Sequence, residues 1–268
     1  MACDSTLRTL PPKAVVWLAA MLIVALTGCG AKEVRPSTLV ASAASPPPEA
    51  GASSDTLAAL LSLPPTGRPP DWTSRVRRTI AGLSLVPSGR GAHIGPDGHG
   101  YLDFQPAPPE TPGAVAFVAA IEPAIAACRG VTLNARDDGA DWVFSLGDLL
   151  AYRFEGGFFT APLPGSTSKV LTEAVKVLTY QPSEALFPAH VRACLRDWLR
   201  DNLGIEGLGI VVMVNPGDTP PRTLMVDVHR LSSEQQEAFR QDAQHVAWFV
   251  PTLMPLGSGP KDLGFEPL

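Results

Sequence analysis

The sequence predicts an α+β domain in which helices are layered on antiparallel sheet. Three observations predict it. Residues 114–154 and 188–250 repeat one order of signals: apolar helix, strand, turn, strand, capped helix. Each closing helix opens on a serine followed three residues later by an acid or amide, Ser145 with Asp148 and Ser232 with Gln235, the spacing of a reciprocal cap. Leu224, Val226 and Val228 alternate with Met225, Asp227 and His229, the period of a strand buried on one face. A pair of related α-β-β-α units follows, with halves at 71–165 and 166–254; identity between them is slight, so the relation rests on pattern alone.

The elements follow in order. Leu57, Leu60, Leu61 and Leu63 read as a short helix that docks on the domain, or as part of a partner site. Residues 72–85 carry helical spacing, with Val76, Ile80 and Leu83 on one side. Residues 87–100, with five glycines, read as a loop, and 101–105 as a strand. Residues 114–128 are strongly apolar and end at Gly130, a good residue to follow a helix. Pro123 within them predicts a kink or two shorter helices, because proline removes a helical hydrogen bond. Val131 to Asn134 and Asp141 to Phe144 read as strands around an Asp and Gly turn, and the helix capped by Ser145 runs to about Phe154, stopping at Gly156 and Gly157.

In the second half, 170–180 favours sheet through Val175, Val177, Leu178, Thr179 and Tyr180. Pro188 opens a helix in which Val191, Cys194, Leu195, Trp198, Leu199 and Leu203 form one stripe, closed by Gly204. Residues 208–214 suit a central strand, and 215–221 turn the chain. Phe239, Ala243, Val246 and Val250 line a single last helix ended by Pro251, and the tail 255–268 has little pattern. This second unit is also faintly similar to the C-terminal domain of the enhanced-serine-sensitivity proteins, with no motif that carries residues over.

Ahead of the domain, Arg8 and Lys13 precede the apolar run 14–26, too short for a permanent span of about 20 residues, and the run closes on Leu26-Thr27-Gly28-Cys29. These residues resemble the bacterial lipoprotein cleavage box. The resemblance implies a signal peptide over 1–28 and a diacylglycerol, then a further acyl chain such as palmitate, on Cys29 as the first mature residue. Each buried methylene contributes about 0.8 kcal/mol, so two or more chains hold a protein stably to a membrane. Gly30, where family members retained at the inner membrane often carry Asp, implies the periplasmic face of the outer membrane in a cell with two membranes. Residues 29–70 then form a Pro-, Ala- and Ser-rich tether, with the folded part over 71–254.

Composition narrows the function. The formal charge is −5, and residues 1–28 hold Asp4, Arg8 and Lys13, a net positive charge whose removal leaves −6. An acidic chain has no electrostatic footprint for nucleic acid. Arg75, Arg77 and Arg78, and Arg192, Arg196 and Arg200, read as solvated helix faces. With Cys29 committed to lipid, Cys128 and Cys194 remain as a possible disulfide in an oxidising compartment, or as two separate buried thiols.

Candidate chemistry is sparse. His93, Asp97, His99 and Asp103 lie close in sequence, but no spacing fixes them as metal ligands, and no metal or cofactor is expected. Asp137, Asp138 and Asp141 read as turn residues, since a calcium loop needs a longer ligand series. Gly165-Ser166-Thr167-Ser168-Lys169 lacks the spacing of a phosphate loop. Trp142, Trp198 and Trp248 read as packing residues, His190 and His245 as surface or satisfied histidines, and His229 as the histidine most available to a partner. No catalytic residue is assigned. The reading is a lipid-anchored envelope module that binds a protein partner. The alternative is an envelope hydrolase with a site around 87–103.

Overall fold

The computed structural model describes residues 53–158, 178–215, 221–259, 261 and 263–268. The cleavage box, Cys29, most of the tether, Gly165 to Lys169 and residues 170–177 lie outside them. The architecture is α+β, as the repeated order of signals predicts. Among the described residues there are two sheets and seven α-helices: α1 (Ser54–Leu61), α2 (Trp72–Ala81), α3 (Phe117–Ala126), α4 (Leu146–Glu155), α5 (Ala189–Leu203), α6 (Ser233–Gln241) and α7 (Ala243–Phe249).

The first sheet has the order β3-β1-β2-β4-β5, built from β1 (Ser84–Ile94), β2 (Gly100–Ala107), β3 (Val115–Ala116), β4 (Gly130–Leu133) and β5 (Trp142–Phe144). The second has the order β10-β7-β8-β9, with β6 also on β7: β6 (Leu178–Tyr180), β7 (Gly209–Val214), β8 (Arg222–Val226), β9 (Leu256–Ser258) and β10 (Glu266–Pro267). Both sheets are mixed rather than purely antiparallel, because β2 pairs in parallel with β4 and β8 with β9. A helical crossover supplies the reversal in each case: α3 between β2 and β4, and α6 and α7 between β8 and β9.

The repeated order is present in both halves, as α3-β4-β5-α4 and as α5-β7-β8-α6. Both reciprocal caps form. Ser145 accepts from the Asp148 N–H while the Asp148 carboxylate accepts from the Ser145 N–H, and Ser232 and Gln235 do the same. One continuous core runs through both halves, from Leu57 to Leu268, with α4 packed on α7 and α3 on α5. A disulfide joins Cys128, just after α3, to Cys194 on α5.

Several expectations are corrected. The fold begins before residue 71: Leu57 and Leu60 of α1 are buried, and the Trp72 indole N–H donates to the Leu60 carbonyl at 2.8 Å. The glycine-rich stretch 87–100 is not one loop: β1 runs to Ile94 and takes up Gly89 and Gly91 in a register shift between Pro87 and Ala92, so that only 95–99 turn the chain before β2. The apolar stretch 114–128 opens with β3 before α3, and α3 continues as one helix through Pro123. The last helix is two, broken at Asp242, which ends α6 and precedes α7. The strand predicted through His229 stops at Val226, where Asp227 takes up a 3-10 turn over Val228–Arg230 by accepting from the His229 N–H. The tail is not patternless, since β9 and β10 complete the second sheet. Two-residue pairings such as β10 depend on a neighbour's register and leave no periodic trace.

The α4–α7 contact has a single steric key. A Cβ on Gly147 would lie 2.0 Å from the Val250 carbonyl oxygen, so only glycine allows the two backbones to meet there.

Candidate functional site

A cluster of polar and aromatic side chains forms where the tip of the β1–β2 hairpin meets α5 and α7. The hairpin reverses at residues 95–99, with the Gly95 N–H donating to the His99 carbonyl at 2.8 Å and Gly98 at φ 80°. That turn delivers His99 into the interior, 4% exposed, although it is a polar residue at a hairpin tip. Its imidazole stacks face to face on the Trp248 indole, centroids 4.2 Å apart and planes 4° apart, and Phe249 meets it edge-on. Its Nε2 lies 3.1 Å from Nδ1 of His245 on α7. Trp198 of α5 stacks on the other histidine, with centroids 5.9 Å apart and planes at 13°.

A second chain of bonds runs beside the first. The Trp248 indole N–H donates to the Tyr101 hydroxyl at 3.0 Å, and that hydroxyl donates to Asp97 Oδ2 at 2.5 Å. Asp97 Oδ1 accepts from the His99 N–H at 3.1 Å. Burial pushes the His99 imidazole below its usual value; the Asp97 carboxylate works against that shift, and His245 adds to it. Burial pushes the Tyr101 phenol upward, and its bond to Asp97 does likewise. Burial therefore favours the neutral His99 imidazole, and Tyr101 is held as a donor to Asp97.

Beside the pair opens a cleft of about 300 Å³ lined by Asp97, Gly98, Trp198, Asn202, Leu203, Asp242 and His245. Its walls come from the hairpin tip, the last turn of α5 and the α6–α7 junction.

The four clustered residues of 87–103 divide. Asp97 and His99 reach this site, and His93 stacks on Tyr101 with centroids 6.0 Å apart. Asp103 serves elsewhere. It is buried and accepts from the Ser88 hydroxyl, from Thr132 Oγ1 at 2.9 Å and from the Ala135 N–H at 2.9 Å, pinning three segments across β2. Among the described residues no group of three or more His, Cys, Asp or Glu side chains is placed to hold a metal ion. Among them, too, no serine, threonine or cysteine side chain is hydrogen-bonded to a histidine ring.

The other singled-out residues have local partners. His190 Nε2 lies 3.0 Å from the Ile125 carbonyl oxygen. His229 is exposed in the 3-10 turn, its Nε2 3.0 Å from the Gly259 carbonyl oxygen, not on the outward face of a strand. Arg192 pairs with Glu184, and Arg200 with Asp197 and Asp201. Arg77 is no solvated side chain: it pairs at 2.9 Å with the buried Asp148. Asp141 pairs with Arg136, and Asp137 with Arg90. Sequence reasoning missed the joining of His99 to His245, Trp198 and Trp248. The partners lie 99–149 positions away, and the only trace was the concentration of His and Trp on apolar helical stripes.

Comparison with protein-family models, curated proteins and solved structures gives no match for this chain. Among the described residues no helix is long and apolar enough to cross a membrane.

Proposed function

We propose that this chain is a lipid-anchored protein of the cell envelope whose α+β domain acts as a binding module for a protein partner. The observation that carries the reading is the Cys128–Cys194 disulfide, because disulfides persist in exported proteins and are rare in reducing cytosol. It agrees with the Leu26-Thr27-Gly28-Cys29 box, which would send the chain through the export pathway and leave Cys29 for lipid. A cleft on a domain with a continuous core gives such a module a preformed recognition surface. The periplasmic face of the outer membrane is the favoured location, from Gly30.

Metabolic labelling with an alkyne fatty acid tests the reading. The wild-type chain takes up label and sediments with membranes, and Cys29→Ala abolishes the label and leaves an uncleaved precursor. Label that survives Cys29→Ala, or an unlabelled chain in the cytosol, overturns it. Cross-linking in intact cells then tests for a partner.

A further inference from the structure

We propose that the cleft between the hairpin tip, the end of α5 and the α6–α7 junction binds an organic cation: an ammonium or guanidinium group on an apolar stem. This inference deepens the binding-module reading and rests on it, but not on the lipid anchor. Four features of the cleft point the same way. Asp97 and Asp242 bring carboxylates from two separate elements. Asp97 accepts one bond at each oxygen, which leaves lone pairs for a further donor. Asp242 makes no side-chain capping bond at the start of α7.

The helix ends supply the second feature. The C-terminal end of the 15-residue α5, at Asn202 and Leu203, and the C-terminal end of α6, at Asp242, both border the cleft. Their partial negative charge favours a cation. The opposing N-terminal end belongs to α7, the shortest helix of the three.

Third, Trp198 and Leu203 give the stem an apolar wall. Fourth, among the described residues no arginine or lysine lines the cleft. Arg200 is engaged by Asp197 and Asp201, and Arg240 by Glu237. Arg129 packs against Gly100 outside the lining. An anion would meet two carboxylates, whereas a lysine or arginine side chain would meet complementary groups at its head and along its stem.

The full chain in detergent, with its indole N–H signals assigned by NMR, is titrated near neutral pH. The probes are Nα-acetyl-lysine amide, Nα-acetyl-arginine amide, the uncharged norleucine isostere, cadaverine, an Ala-flanked lysine peptide and calcium chloride. The expected result is a saturable shift of the Trp198 signal with the cationic probes and binding about tenfold or more weaker with norleucine, the scale of one charge-assisted hydrogen bond. Asp242→Asn should weaken the cationic probes by a similar factor with an unchanged melting temperature. Tighter binding of the peptide assigns the cation to a protein, and tighter binding of cadaverine assigns it to a small amine; either supports the site. No saturable shift, an equal response to norleucine, an equal response to calcium, or a folded Asp242→Asn variant that binds as wild type overturns it. A partner captured in cells by a chain that ignores every cationic probe would leave the binding-module reading standing and remove this one.

Discussion

The two α-β-β-α units share a grammar and differ in what surrounds them. In the first, α4 is buried from Leu146 through Tyr152, and its capping acid Asp148 is itself buried and paired with Arg77. In the second, α6 buries only Phe239, and its capping residue Gln235 is partly exposed and reaches the Gly204 carbonyl at 2.7 Å. The caps are locally alike, since both depend on residues three apart. Burial is set by what packs outside each unit. In the first unit α7 packs on α4 from outside and Arg77 of α2 reaches its capping acid, whereas in the second Asp242 turns α7 inward and leaves α6 at the surface. Equivalent sequence positions should therefore carry unequal energies.

The largest effect should come from the bond that ties the units together. The Cys128–Cys194 disulfide closes a segment of 66 residues, which predicts about 4 kcal/mol of stabilisation through restriction of the unfolded chain. Denaturant unfolding of Cys128→Ala/Cys194→Ala should show a loss of that order, and an unchanged midpoint would mean that the core alone holds the units together.

Next comes the second helical position of each capped helix. Gly147→Ala forces a Cβ against the Val250 carbonyl and should cost about 1–3 kcal/mol, as overpacking does. Glu234→Ala, its counterpart on exposed α6, should stay within about 0.5 kcal/mol. Equal effects in thermal unfolding would erase the proposed contrast in burial.

The caps give a smaller contrast. Ser145→Ala removes the hydroxyl that accepts from the Asp148 N–H beside a buried carboxylate, and about 1–2 kcal/mol is expected. Ser232→Ala should cost about 0.5–1 kcal/mol, because water can reach the freed N–H. Chemical denaturation of both variants orders them.

The smallest effect is one of pH. The His99 imidazole has its folded value depressed below the unfolded 6.5, so below that pH the unfolded chain binds more protons than the folded one. Its contribution to stability is complete above about pH 6.5, declines as pH falls below that, and levels off once pH passes the folded value. Melting temperatures between pH 7.5 and 4.5 should fall less steeply for His99→Gln than for wild type. Parallel slopes would mean that other groups govern acid sensitivity.

Much of this fold was legible in the sequence for a definite reason. Helix stripes, the cap serines, and the stops at Gly156 and Gly204, both left-handed, are local devices, and local devices are written in neighbouring residues. Parallel pairing, β9, β10 and the break at Asp242 depend on contacts between distant segments, and a window of a few residues does not hold them. The site shows the same division. His99 and Asp97 stood out by proximity, but nothing near them announced that a hairpin tip would bury one imidazole against Trp248 and aim it at His245. Cys128 and Cys194 sit between these cases: the even count after Cys29 left a pair open, and only the packing of α3 on α5 brings the two sulfurs together.

Intact-mass spectrometry of the chain extracted from membranes, before and after reduction, tests the proposed function most directly. The account predicts a chain that lacks residues 1–28, begins at an acylated Cys29 and gains two hydrogens on reduction. A mass that retains Met1 to Gly28, or a mature chain with no acyl group and no reducible bond, would contradict both the anchor and the exported, cross-linked domain it is proposed to hold.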